Sequence, residues 1–242
     1  MVKVVVADRE VGIRSSRRHQ RLRAFGNRQE LQPNVVRLRA DLARYYDQDA
    51  AARASRRLPD DRVAHREWFI GRLQDEGRHR LLEIGTGPGI DALAFLRAGF
   101  EVSGVDLSPA HVTLARGAGI DAHVAAAHDL PFASGTFDAL WSMSVLMHLP
   151  DPDLDAALAE FSRVLRPGAP AALGMSGGDG PEGPHPDDTF DPPRYFKWRT
   201  DEAMAAAIRR HARLESFEVL PVQAANGRTF HYQWAVARFG GT

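Results

Sequence analysis

The chain has 242 residues, 44% hydrophobic and 26% charged, a length that suits one α/β domain with an N-terminal extension. It contains no cysteine, which excludes disulfide bonds, thiolate metal sites and a cysteine nucleophile. Basic and acidic residues number 31 each, so the whole chain carries no basic field that would attract nucleic acid or an anionic membrane.

Residues 1–33 are predicted to form a basic N-terminal extension. Between residues 9 and 28, seven arginines accompany a single carboxylate, that of Glu10. We expect a solvated or disordered leader here, with phosphate binding as the alternative. An apolar start followed by arginines reverses the order of a secretory signal, and no apolar run approaches the roughly 18–20 residues of a membrane span. The expectation is therefore a cytoplasmic protein.

Alternating helices and short apolar strands are predicted along the rest of the chain. Two helices are expected over residues 34–75, separated by Pro59. From residue 79 the pattern is typical of a parallel sheet with helical crossovers. The strands are predicted at 80–84, 101–105, 121–125, 136–143 and 169–175, and the helices at 90–98, 108–116 and 151–165. Ser108-Pro109 and Asp151-Pro152 are helix-start signals.

The C-terminal part breaks this pattern. Residues 176–199 are rich in Gly, Pro and Asp and are too long for an ordinary connection, so we expect a lid, a binding loop or disorder. A helix is predicted from Thr200 to about His211. Strands 214–220 and 229–239, joined by Asn226-Gly227, should pair antiparallel.

The most specific signal is a buried strand that runs into a glycine turn, Leu81-Leu82-Glu83-Ile84-Gly85-Thr86-Gly87-Pro88-Gly89. Glycines allow the backbone to turn tightly or to approach a ligand closely. The dinucleotide fingerprint would place its third glycine at position 90, but this residue is Ile90. Glu83 would repel a pyrophosphate and suits a ligand with an ammonium or sulfonium group. The loop therefore argues against a dinucleotide.

These residues resemble the first motif of the class I S-adenosylmethionine-dependent methyltransferase family, with its type 11 and type 25 members as the nearest likeness. Further segments between residues 45 and 175 match other family motifs in order, and as a set they are specific. They are Tyr45-Tyr46-Asp47, Val105-Asp106-Leu107-Ser108, Asp129-Leu130-Pro131-Phe132 with Gly135-Thr136-Phe137-Asp138, and Leu165-Arg166-Pro167-Gly168.

The resemblance implies an α/β fold with a Rossmann-like seven-stranded sheet, mostly parallel with a C-terminal antiparallel strand, and helices on both faces. Residues 34–242 would form the methyltransferase domain, with 34–78 as a helical N-terminal cap and 176–199 as a substrate lid loop. The cofactor would be S-adenosyl-L-methionine, and the product would be S-adenosyl-L-homocysteine.

The resemblance also implies the cofactor-binding residues. In the family, the residue equivalent to Asp106 binds the ribose hydroxyls, a strong contact for a carboxylate. Many members place an aspartate at the position of Ala126, where it meets the adenine amino group, so that contact is expected from Ala127, His128 or Asp129 instead. The full expected set is Tyr46, Glu83, Gly85, Thr86, Gly87, Gly89, Asp106, Leu107, Ala127, His128, Asp129, Met143 and Ser144.

His148 is the candidate catalytic residue, because it follows the fourth strand and histidine titrates near neutrality. A structural turn is the alternative for this histidine. His148, Arg194, Tyr195 and Trp198 are the candidate acceptor-binding residues. His185 and the aspartates near it have no recognisable ligand spacing, so no metal site is predicted.

The resulting hypothesis is methyl transfer from S-adenosylmethionine to an O, N or C atom of a small-molecule acceptor. No membrane partner is expected, and the neutral charge argues against nucleic acid. Three alternatives stay open: an RNA or protein methyltransferase using the basic extension, a non-catalytic S-adenosylmethionine-binding protein, and an oxidoreductase.

Overall fold

The structure, a computed structural model, describes residues 3–4, 33–185, 187–223 and 229–240. Among these residues are ten strands: β1 (Lys3–Val4), β2 (Arg80–Ile84), β3 (Glu101–Asp106), β4 (Asp121–Val124), β5 (Ala139–Met143), β6 (Ala169–Gly177), β7 (Gly183–Pro184), β8 (Tyr195–Phe196), β9 (Ala212–Gln223) and β10 (Thr229–Phe239). The α-helices are α1 (Pro33–Ala54), α2 (Asp60–Asp75), α3 (Ile90–Arg97), α4 (Pro109–Gly117), α5 (Asp151–Val164) and α6 (Asp201–Arg209). The basic extension between residues 9 and 28 lies outside the described residues.

One twisted sheet organises the molecule, with strand order β1-β9-β10-β6-β5-β2-β3-β4. Strands β2 to β6 run parallel, whereas β10 is antiparallel to both of its neighbours, β6 and β9. The predicted mostly parallel α/β sheet with an antiparallel strand near its C-terminus is thereby confirmed. The two-residue strand β1 adds an eighth strand to the seven that were predicted.

The sheet is covered on both faces, as predicted. Helices α2, α3 and α4 pack on one face around Phe69, Phe95 and Trp141. Helices α5 and α6 pack on the other face around Phe161 and Ile208. The central strands β2, β5 and β6 are buried along almost their whole length and are mostly apolar, the usual pattern for a parallel sheet between helices.

Helix-start predictions differ in outcome because capping depends on what else competes for the side chain. Ser108 caps α4 as predicted, since its Oγ accepts from the backbone N–H of His111 at 3.1 Å. Thr200 likewise caps α6 by accepting from the N–H of Ala203 at 3.2 Å. Asp151 was predicted to cap α5, but it lies inside the helix and accepts from Arg199 at 2.8 Å.

Two strand predictions need correction. The strand predicted at 136–143 begins only at Ala139, and Phe137 forms an isolated bridge with Leu165 instead of joining the strand. Residues 176–199 include the small hairpin β7–β8 instead of being wholly irregular. The antiparallel pairing of β9 and β10 is confirmed, while the Asn226-Gly227 turn between them lies outside the described residues.

The chain order of the strands determines where a ligand can bind. From β2 the chain moves outwards through β3 and β4, then returns to the other side of β2 with β5 and β6. The crevice therefore opens at the carboxyl ends of β2 and β5, where open α/β sheets bind ligands. Helix α1 lies across this edge and contacts α4.

Candidate functional site

A cavity of about 340 Å³ lies between the carboxyl edge of the sheet and helix α1. Its floor is formed by the segments that follow β2, β3, β4 and β5, and its roof by residues of α1. Eleven of the predicted site residues line it: Tyr46, Gly85, Thr86, Gly87, Asp106, Leu107, Ala127, His128, Met143, Ser144 and His148. The topology thus brings together residues that are up to about a hundred positions apart.

Two glycines of the loop after β2 have different surroundings. Gly85 has φ 72°, and a Cβ placed on it would lie 2.2 Å from Val145 Cγ2. Gly87 has φ 54°, and a Cβ there would meet no atom within 4 Å. Gly85 is therefore required by packing against Val145, whereas Gly87 opens onto the cavity.

Asp106 joins the ends of two loops at the cavity wall. Its Oδ2 accepts from the N–H of Gly87 at 2.9 Å, and its Oδ1 accepts from the N–H of Ser108 at 2.9 Å. A carboxylate has about four lone-pair sites, so each oxygen can still accept another hydrogen bond. Asp106 is therefore fixed in position and can still receive hydroxyl groups.

Three predicted cofactor-binding residues do not line the cavity. Glu83 is 1% exposed and accepts from the hydroxyl of Thr86 at 2.8 Å; burial, together with the nearby Asp91, raises its pKa well above the usual range. Gly89 is the N-cap of α3 and packs against Ala115. Asp129 is exposed, and its N–H closes a turn onto Ala126. These residues shape or flank the walls of the cavity.

His148 is buried, with both ring nitrogens engaged. Nδ1 lies 2.8 Å from the carbonyl oxygen of Tyr195, which only accepts, so Nδ1 carries the proton. Nε2 then accepts from the hydroxyl of Tyr46 at 2.7 Å. Burial lowers the pKa of His148 to about 3, and the charges of Arg194 and Arg53 act in the same direction. The imidazole is neutral at physiological pH, with its lone pair directed at Tyr46.

The other predicted acceptor-binding residues lie outside the cavity. Arg194 pairs with Asp188 at 2.5 Å, and its guanidinium stacks over the ring of Tyr45 at 4.8 Å. Tyr195 contributes its carbonyl to His148, and its hydroxyl donates to Glu182. Trp198 stacks on Phe196 with ring centroids 5.4 Å apart. The loop therefore packs against α1 and His148, and none of the described residues of 176–199 lines the cavity itself.

Ser144 adopts a backbone conformation that is rare for residues other than glycine. Its φ is 60°, its N–H donates to the carbonyl of Gly174 at 2.7 Å, and its Oγ lies 3.2 Å from the hydroxyl of Tyr232. Such strain persists only where surrounding contacts enforce it, and it is common at functional sites.

The sequence prediction missed a group of cationic and titratable side chains on the cavity wall. Three arginines each pair with a buried carboxylate: Arg39 with Asp153, Arg53 with Asp49, and Arg62 with Asp91. His111 lines the wall beside Asp106. On α1, the cavity-lining residues 39, 42, 46 and 53 follow helical spacing. A search for one helix face that included arginines as well as apolar residues would therefore have found them.

The described residues contain no group of three or more His, Asp or Glu side chains arranged to hold a metal ion. Within the same part of the chain, every helix is too short or too polar to cross a membrane.

Both sequence and fold are similar to those of known methyltransferases. A family model described as methyltransferase domain matches residues 82–173. An uncharacterized methyltransferase of Mycobacterium sp. (strain JLS) is 36% identical over 144 residues, 58% of this chain and 56% of that protein. The chain thus spans about half the length of the curated relatives it matches.

Two solved structures share the fold. An S-adenosylmethionine-dependent methyltransferase of Methanosarcina mazei has a TM-score of 0.60 at 19% identity, over 68% of this chain and 94% of that one. The 1,6-didemethyltoxoflavin-N1-methyltransferase of Burkholderia thailandensis, solved with bound 1,6-didemethyltoxoflavin and S-adenosylhomocysteine, has a TM-score of 0.54 at 22% identity, over 76% and 91% of the two chains.

Proposed function

We infer that this chain is a member of the class I S-adenosylmethionine-dependent methyltransferase family and transfers a methyl group to an O, N or C atom of a small-molecule acceptor. The observation that carries the proposal is the single cavity wall formed by Gly87, Asp106, Ser144 and His148 beneath helix α1. In this proposal residues 34–242 are the methyltransferase domain, and residues 34–78 are its helical cap.

The residues at the cavity fit S-adenosylmethionine. Gly87 leaves its side of the wall open, so a nucleoside can approach the backbone closely. Asp106 has lone pairs free for the ribose hydroxyls. The segment from Ala125 to His128 lines the part of the wall that follows β4, and we assign it to the adenine. Met143, the last residue of β5, and Ser144, which follows it, would then lie beside the methionine part.

For methyl transfer, the protein mainly has to align the cofactor with the acceptor and to exclude water. Bound S-adenosylmethionine supplies a methyl group that its sulfonium charge already activates. Alignment of two bound reactants can supply a large part of the rate enhancement. Leu38, Leu42 and Leu149 contribute apolar surface to the cavity wall and would limit the access of water to the acceptor.

His148 and Tyr46 are the candidate residues for handling the acceptor's proton. Nε2 of the neutral imidazole accepts from the Tyr46 hydroxyl, so an acceptor hydroxyl or amine that replaces this partner would meet the same lone pair. The low pKa of His148 makes it a weak base. It would therefore assist acceptors whose proton becomes acidic only as the new bond to carbon forms.

The anchoring of α1 favours a small acceptor over a polymer. Arg39 binds Asp153 of α5 at 2.9 Å, and Asp47 binds Ser108 at the start of α4 at 2.5 Å. The helix is thereby tied to both sides of the cavity mouth. We assign residues 176–199 the part of a lid that acts through α1, because Arg194 and Asp188 contact Tyr45.

Calorimetry with S-adenosylhomocysteine tests the proposal. The wild-type chain should bind it with micromolar affinity, and Asp106→Ala should abolish binding. Gly87→Ala should weaken binding at least tenfold, because Gly87 lines the cavity and an added methyl group would occupy open space beside a backbone that the cofactor approaches. Gly77→Ala is the matched control: Gly77 also has positive φ and open space but lies at the end of α2, away from the cavity. Its affinity should equal that of the wild type.

A second measurement distinguishes the kinds of acceptor. The chain and labelled S-adenosylmethionine are incubated in three separate reactions, with a small-metabolite extract, with total RNA and with unfolded protein. Label in the metabolite fraction supports the proposal, and label in RNA or protein replaces it with a macromolecular acceptor. Binding without transfer to any fraction would indicate a non-catalytic protein, and the absence of binding at millimolar S-adenosylhomocysteine would reject the proposal altogether.

A further inference from the structure

His111 is a buried histidine on the cavity wall that the proposed reaction does not use. It lies in the first turn of α4, and its backbone N–H donates to the capping hydroxyl of Ser108 at 3.1 Å. Its side chain is 2% exposed and lines the same cavity as Asp106. Asp47 also binds Ser108, so the turn that carries His111 is held from both sides.

Neither ring nitrogen of His111 has a hydrogen-bond partner among the residues that the structure describes. Nδ1 lies 3.5 Å from Asp106 Oδ1, an approach without hydrogen-bond geometry. The ring of Tyr46 faces it with centroids 5.7 Å apart, but the Tyr46 hydroxyl is directed at His148. Buried polar atoms are nearly always paired in folded proteins, so an unpaired imidazole facing a cavity indicates a ligand atom.

The chemistry of the two neighbouring side chains complements a vicinal diol. A carboxylate only accepts hydrogen bonds, whereas a neutral imidazole has one donor and one acceptor. The two hydroxyls of a ribose each donate one hydrogen bond and can also accept. Asp106 would accept a hydrogen bond from each hydroxyl, and the hydroxyl oxygens would still lack a donor unless a neighbour such as His111 supplies one.

We propose that His111 is a second ribose-binding residue, which acts with Asp106 by donating a ring N–H to a hydroxyl oxygen of the cofactor. The proposal rests on the proposed function, since it concerns the same cofactor site. Within that site, His111 adjoins Asp106. Ser144 and the segment from Ala125 to His128 lie elsewhere on the wall.

The test compares S-adenosylhomocysteine with its 2′,3′-dideoxy analogue by calorimetry. Wild-type chain, His111→Met and His111→Gln are titrated with both compounds. We expect His111→Met to bind S-adenosylhomocysteine about tenfold more weakly, the effect of one lost hydrogen bond at a buried site. His111→Gln keeps a donor and should lose about threefold or less. The dideoxy analogue should bind wild type and His111→Met equally. His79→Met, at an exposed histidine away from the cavity, is the control and should match the wild type.

Each other outcome is decisive. Unchanged binding of S-adenosylhomocysteine by His111→Met overturns the inference but leaves the proposed function standing. An equal loss for both compounds also overturns it, since that pattern indicates only a packing role. Failure of the wild type to bind S-adenosylhomocysteine rejects the proposed function and the inference with it. Thermal melting checks that the variants fold, and His111→Leu, which also lacks a hydrogen-bond donor, replaces His111→Met if the latter does not.

Discussion

At the cavity, individual residues are held in conformations or protonation states that they would rarely adopt in the unfolded chain. Ser144 has a positive φ, Glu83 is buried with a raised pKa, and His148 is buried with a lowered one. Each state is maintained by specific contacts, such as the Tyr195 carbonyl on His148 Nδ1. Perturbed titratable groups of this kind concentrate at functional sites. The cavity therefore combines strain and burial in the way expected of a site of chemistry.

The buried, neutral state of His148 predicts how stability depends on pH. Its pKa falls from 6.5 in the unfolded chain to about 3 in the folded one, so the unfolded state binds the proton more readily. The free energy of unfolding is therefore highest above pH 6.5. It decreases as pH falls from 6.5 towards 3, by at most about 1.4 kcal/mol per pH unit. Urea unfolding at pH 7.5, 5.5 and 4.5 should show a steeper loss for wild type than for His148→Asn.

His79→Asn serves as the control for this measurement, because His79 is exposed. It should follow the wild-type pH dependence. Parallel curves for wild type and His148→Asn would mean that His148 is not held neutral by burial.

At the scale of elements, helix α1 is attached mainly by polar contacts. Few of the described side chains of this helix are buried, among them Leu42, Tyr45 and Ala50. It is held instead by hydrogen bonds to α4 and α5 and by the loop residue Arg194. Elements with little buried apolar surface open at lower free energy than the core. We therefore expect α1 to be the part of the site that opens to admit ligands.

Asp47 is the contact whose removal should loosen α1 most directly. Its Oδ1 accepts from the hydroxyl of Ser108 and from the N–H of Ala110 at 3.1 Å, and its charge lies at the N-terminus of α4. Asp47→Ala should lower the opening free energy of α1 by about 1–3 kcal/mol. Amide exchange measured by mass spectrometry should become faster over residues 40–54 and stay unchanged in β2 and β5.

Asp41→Ala is the matched control on the same helix, since the ion pairs of Asp41 among the described residues are with Arg37 and Arg44 of α1 itself. Its exchange should remain close to that of the wild type. Equal acceleration in both variants would show that the Asp47 contact does not anchor the helix.

At the scale of the whole molecule, the end of α2 and the C-terminal strands are joined by a network of charges. Arg238 of β10 donates to Glu76, which follows α2, and to Glu215 of β9 at 2.9 Å. Arg72 bridges the same two carboxylates. Hydrogen bonds from Arg238 lower the pKa of Glu76 to about 2. The network therefore ties segments more than a hundred residues apart.

A double-mutant cycle measures this tie. Arg238→Met and Glu76→Gln, singly and together, should give a coupling free energy of about 1–3 kcal/mol in urea unfolding, the range for contacts within one charge network. The cycle of Arg213→Met with Glu215→Gln is the control, because Arg213 is 69% exposed and such pairs contribute about 0–1 kcal/mol. Coupling energies of the same size in both cycles would contradict a joining role for Arg238.

Much of the fold was predictable because its signals are local. The strand at 80–84, the cap at Ser108 and the cap at Thr200 each depend on neighbouring residues, and the structure confirms them. The glycine turn and Asp106 could be placed at one edge because carboxyl ends of parallel strands meet there. Capping of α5 by Asp151 was wrong, since Arg199, 48 residues away, competes for its carboxylate.

The alternation of strands and helices, the glycine turn and the resemblance to a methyltransferase family could all be read from the residues alone, because they depend on residue spacing and backbone conformation. The contacts that tie α1 to α4 and α5 could be seen only in the folded chain, as could the contact of Arg194 with α1 instead of the cavity. The same holds for His111, which lies beside Asp106 without a hydrogen-bond partner among the described residues. These features depend on pairs such as Arg39 and Asp153, which are 114 positions apart. Contacts between such distant residues leave no periodic trace in the chain, and they form only when the sheet brings the residues together.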